Sequence, residues 1–138
     1  MNQENINRVF DEGLRVAAHF LGKSGEFYPF AVALTTSDEL RHVQGWTGEE
    51  MPPSKEVIEQ LQRGLSQGAA AGEFLTTALI SDVRIRRTPE SEPGDAISFR
   101  IEDQEGAIVC YVPCDAAAKK IDCESMMTLK SEPSVFSK

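Results

Sequence analysis

Three stretches between Asp82 and Val112 place apolar side chains at every second position, a period that only extended strands convert into a single apolar face. Val83, Ile85, Ile97, Phe99, Ile101, Ile108, Cys110 and Val112 fall on one face, which is expected to be the core. Asp82, Arg84, Arg86, Ala96, Ser98, Arg100, Val109 and Tyr111 fall on the other. Asp103-Gln104-Glu105-Gly106 supplies turn residues, so positions 95–102 and 107–113 read as a hairpin. A long strand over 75–87 precedes it, followed by a Pro- and Glu-rich loop at 88–94. In this register Asp82 lies opposite Arg100, a favourable cross-strand pair.

The first half of the chain switches period. Ile6, Phe10, Gly13, Leu14, Ala17, Ala18 and Leu21 recur at spacings of three and four, which predicts a helix over 4–21. Val9, Val16 and Phe20 flank that stripe and widen the apolar arc beyond what one sheet contact requires, which marks them as dimer-interface candidates. Gly22 and Gly25 are the expected stop signals. Positions 27–35 alternate as a strand with small residues on its second face, and Pro29 belongs at its start or on an edge. A turn at 36–39 leads into a returning strand over 40–46 and a loop ending in Pro52-Pro53. Ser54 caps a second helix with Val57, Ile58, Leu61, Gly64, Leu65 and Gly68 on one stripe. Those glycines suggest close backbone approach to a sheet. Near the end, 116–120 can form one helical turn, and Met126, Met127 and Leu129 can dock as a short edge strand. Positions 131–138 read as a loose tail.

The expected fold is therefore α+β in one domain, 1–138. Its order is helix, strand, strand, helix, strand, strand, strand. The sheet is mainly antiparallel, with both helices packed on one face.

A formal net charge of −8 opposes binding to nucleic acid or to anionic membrane surfaces. No apolar run approaches the roughly 20 residues of a membrane span. The polar start Met1-Asn2-Gln3-Glu4-Asn5 lacks the pattern of a secretory signal. Three cysteines, an odd number, then point to reduced thiols in a cytoplasm. Cys110-Tyr111-Val112-Pro113-Cys114 has neither zinc-site nor Cys-x-x-Cys spacing. Only two histidines occur, His19 and His42, and neither belongs to a nucleophile motif. The carboxylates, including Glu102-Asp103 and Glu105, read as solvated groups. No phosphate-binding glycine loop, dinucleotide fingerprint or calcium loop is present. The sequence thus nominates no catalytic residue, no metal ligand and no cofactor.

Two candidate surfaces remain. Arg84, Arg86, Arg100 and Tyr111 form an expected patch on the outer sheet face, and Arg and Tyr are frequent binding anchors. Tyr28, His42 and Trp46 form an alternative pocket for a small molecule.

Gly25-Glu26-Phe27-Tyr28-Pro29-Phe30-Ala31, the hairpin after it, and Gly94-Asp95-Ala96-Ile97 leading into Glu102 to Gly106 resemble a set of small bacterial proteins without an assigned activity. The resemblance spans roughly residues 21–113. The element order is also similar to the roadblock/profilin-like architecture, and that likeness implies a dimeric interaction module. The leading expectation is a non-enzymatic protein-interaction module of a bacterial cytoplasm, a homodimer, with a toxin-neutralising immunity protein as one version. The alternative is a small-molecule-binding domain or enzyme using the Tyr28, His42 and Trp46 pocket.

Overall fold

A computed structural model describes residues 2–24, 27–44, 54–86, 89, 90, 92, 94–115 and 120–136. Helix α1 (Gln3–Ser24) begins where the Asn2 side chain accepts the Asn5 amide at 3.1 Å. It runs through Gly22, the first of the two expected stops; Gly25 lies outside the described residues. Ile6, Val9, Gly13, Ala17 and Leu21 form its buried stripe. A Cβ on Gly13 would come within 2.7 Å of Ile80 Cδ1, so this glycine lets the helix approach the sheet.

Strands β1 (Phe30–Thr35) and β2 (Leu40–Gln44) form the first hairpin, with Pro29 just ahead of β1. Helix α2 (Ser54–Ala70) is followed by β3 (Phe74–Ile85), β4 (Gly94–Asp103) and β5 (Gly106–Asp115). The β4–β5 turn is tied by Asp103, whose Oδ1 accepts the amides of Glu105 at 2.8 Å and Gly106 at 3.1 Å. Two short strands, β6 (Lys120–Ile121) and β7 (Met127–Ser131), both pair with the far edge of β5. The order across the sheet is β2-β1-β3-β4-β5, and every pairing is antiparallel. The fold is α+β, as expected. Met127 and Leu129 lie in the expected edge strand. Of 116–120, only Lys120 is described, and it belongs to β6 rather than to a helical turn.

The helices do not share a face. Phe30, Val32 and Leu34 of β1 pack with Ile6, Val9, Ala17 and Leu21 of α1. Ala31 and Ala33, the intervening residues, pack with Val57, Leu61 and Leu65 of α2. Adjacent strand residues point to opposite faces, so α1 and α2 sandwich the sheet. The small residues of β1 are the reason: they form the floor that receives α2. Of α2's glycines, only Gly68 makes the expected close approach, since a Cβ there would sit 2.3 Å from the Phe74 ring. Gly64 is exposed, with open space around it.

The phase of β3 also differs from expectation. Ile80 lies opposite Phe99 and Ala78 opposite Ile101, so Asp82 faces Ile97 rather than Arg100. Val83 and Ile85 therefore belong to the α2-side face, and Ala78 and Ile80 supply the α1-side core. The cause is burial on both faces. Thr76 to Ser81 are all buried, so this half of β3 carries no alternation from which the phase could be read.

The expected loose tail is docked as far as residue 136. Val135 is 5% exposed and joins the α2 cluster, with Phe136 packed against it.

Candidate functional site

The register divides the arginine patch. Arg84 lies on the α1-side face, opposite Asp95, with its Nε 3.6 Å from Asp95 Oδ1. Arg86 follows the end of β3 and is exposed. Arg100 and Tyr111 lie on the α2-side face, where Arg100 is opposite Val109 and Tyr111 opposite Ser98. Arg84 is thus on the opposite face of the sheet from Arg100 and Tyr111, and Arg86 lies beyond the end of β3. The correction has the same origin as the β3 phase: shifting one strand by one position moves all its side chains to the other face.

On the α2 side, two cross-strand rows replace the predicted patch. One runs Leu79, Arg100, Val109, Leu129; the other runs Ser81, Ser98, Tyr111, Met127. Helix α2 lies over β1 and β3, at one end of these rows. At the other end Val109, Tyr111 and Met127 are half-buried, and Leu129 is 57% exposed. Arg100 is half-buried between the two regions. Sequence reasoning found Arg100, Val109 and Tyr111 on this face but left Met127 and Leu129 apart from it, because nothing local ties β7 to β5.

The dimer candidates fare differently from one another. Val9 is 0% exposed and belongs to the α1-side core, so it is no surface residue. Val16 and the Phe20 ring are half-buried; Val16 packs on that core, and Phe20 meets Phe30 edge-on at 6.3 Å. The wide arc of α1 is used internally, against three strands.

The alternative pocket is not assembled among the described residues. Tyr28 is 48% exposed. His42 Nε2 lies 2.8 Å from Glu12 Oε2, while Arg15 Nε donates to Glu12 Oε1 at 2.6 Å. These bonds, Arg15 first and His42 second, hold the Glu12 carboxyl down to about 2. The cluster ties α1 to β2. Trp46 lies outside the described residues.

A groove of about 500 Å³ lies elsewhere, lined by Ile85, Asp95, Pro113, Cys114, Lys120 and Asp122 among others. Burial, and then the charges of Asp82, Asp95 and Asp115, push the Cys114 thiol up to about 11. At neutral pH it is a protonated, weak nucleophile. Among the described residues no group of three His, Cys, Asp or Glu side chains could hold a metal ion, and no helix is long and apolar enough to cross a membrane.

The chain matches no protein-family model, no curated protein and no solved structure. Any functional reading rests on its own geometry.

Glu102, expected to be a solvated carboxylate, is buried instead. It alternates with Ser98 and Arg100 as an outward strand position next to a turn, which reads as solvated. It is 4% exposed, and its carboxylate holds the tail. The partner is more than thirty residues away along the chain, beyond the reach of any local signal.

Proposed function

We propose that this protein is a non-enzymatic interaction module that binds a protein partner through the α2-side face of β4, β5 and β7. The observation that carries the reading is Leu129, 57% exposed, at the end of a row with Val109 and Arg100. An apolar strip beside a half-buried arginine combines the two features of a binding hot spot: apolar area to desolvate, and a directional group that grips a carboxylate. The partner would present an apolar side chain to Val109, Tyr111 and Leu129 and an acidic group to Arg100. A second copy of the chain is one such partner, and a bacterial toxin held by an immunity-type protein is another.

The test is affinity capture from the native host with wild type and Leu129→Asp, together with light scattering of both. Wild type should retain a partner, or show twice the monomer mass, and folded Leu129→Asp should lose it. A folded Leu129→Asp that retains the same partner and the same mass overturns the reading.

A further inference from the structure

We infer that the groove between α2 and β4 is a peptide-binding site, filled in cis by the chain's own Ser134-Val135-Phe136 as a detachable ligand. The inference does not depend on the interaction surface proposed above. Glu102 carries the argument. A buried carboxylate needs donors, because its charge has been taken out of water. Among the described residues, every hydrogen bond to this one comes from the tail. The Ser134 amide donates to Oε1 at 2.6 Å and the Ser134 hydroxyl to Oε2 at 2.9 Å. The Val135 amide is shared between Oε1 at 3.1 Å and Oε2 at 3.2 Å.

The sheet supplies none of these donors. Thr77, directly across from Glu102 on β3, is 1% exposed, and among the described residues its hydroxyl has no hydrogen-bond partner. From the other wall, the Ser66 hydroxyl of α2 donates to the Ser134 carbonyl at 3.1 Å. Val135 then inserts beside Leu61 and Leu65. The groove therefore reads a defined chemistry: two consecutive backbone amides, a hydroxyl, and a branched apolar side chain. Its ligand class is a short peptide with a hydroxyl residue followed by a branched apolar one.

Detachment follows from how the tail is held. Beyond β7, residues 132–136 belong to no strand or helix. Among the described residues, their attachments are the Glu102 clasp, the Ser66 bond, and the packing of Val135 and Phe136. A segment outside the sheet ladder with so few attachments opens without global unfolding.

The experiment uses the full-length chain carrying Ser134→Pro with Val135→Asp, which disables the tail and leaves the groove intact. The probe is a fluorescein-labelled peptide of residues 131–138, Ser-Glu-Pro-Ser-Val-Phe-Ser-Lys. The variant should bind it at least tenfold more tightly than wild type, whose groove is filled. Adding Glu102→Gln should weaken that binding at least tenfold. A folded variant that binds the peptide no better than wild type overturns the proposal. Should the variant not fold, amide hydrogen exchange in wild type decides. Ser134 and Val135 amides exchanging at least tenfold faster than those of Ile80 and Phe99 support a detachable tail. Equal rates make the tail a fixed part of the core and overturn the inference.

Discussion

On the α1 side of the sheet, Phe30, Val32, Leu34, Ile80, Ile97, Phe99 and Val112 lie under one long helix and are at most 4% exposed. On the α2 side, a shorter helix covers β1 and β3, the C-terminal tail extends the cover to Glu102, and the strip ending at Leu129 stays open. The first face is apolar throughout its centre. The second mixes small, polar and charged residues: Ala31, Thr77, Ser81, Ser98, Arg100 and Glu102. A homogeneous face is held by burial alone. A mixed face needs particular partners for its polar groups, and it retains surface for another molecule.

The largest test of that contrast is Phe99→Ala. The ring is 0% exposed and lies 4.6 Å from the Phe10 ring. Its truncation should cost about 3–5 kcal/mol in urea denaturation, the usual loss for a buried aromatic. A cost below 1 kcal/mol would mean that the α1-side face is not the main core.

The two glycines of α2 sharpen the comparison by sign. Gly68→Ala drives a methyl into the Phe74 ring and should destabilise by about 1–3 kcal/mol, as overpacking does. Gly64→Ala meets open space and should stabilise by about 0.5–1 kcal/mol through the backbone entropy of the unfolded chain. Two losses of similar size would place both positions against the sheet and contradict the lie of α2.

The rim of the α1 side carries a pH signature. Glu12 is held at about 2, below the ordinary 4.5, so its ionised form is favoured by folding. That contribution is complete above about 4.5 and is lost as pH falls toward 2. Because the group sits at the surface, solvent limits it to about 0.5–1 kcal/mol. The stability difference between wild type and Glu12→Gln should shrink across this window. A difference that stays constant from pH 6 to pH 2 would remove the Arg15–Glu12–His42 tie.

The smallest effect is expected on the open strip. Leu129→Ser should change the unfolding free energy by less than about 0.5 kcal/mol, as exposed positions do. A loss above 2 kcal/mol would show that the strip is covered in the free protein.

The hairpin of β4 and β5 was legible in the sequence to within one or two residues at each end. Its alternation is strict on one face, and its turn residues are unambiguous. Helix α1 was legible for the same kind of reason, although the sequence did not show that Val9 and Val16 pack on the α1-side core and that Phe20 meets Phe30. Of the candidate site, Arg100, Val109 and Tyr111 were correctly placed on one face. Arg84 was not, because the first half of β3 is buried on both sides and alternation vanishes where both faces are apolar or small; Arg86 lies beyond the strand's end.

The sequence by itself determined the two helices and the strands β1 to β5, and which residues of β4 and β5 share a face. Those properties depend on backbone periodicity and on turn chemistry within a few residues. Only the tertiary structure decided that α1 and α2 take opposite faces, which phase β3 adopts, and that Glu102 reaches across to Ser134 and Val135. Each of these matches one surface to another from a distant part of the chain. A hydrophobic pattern records that a position is buried, but not what buries it.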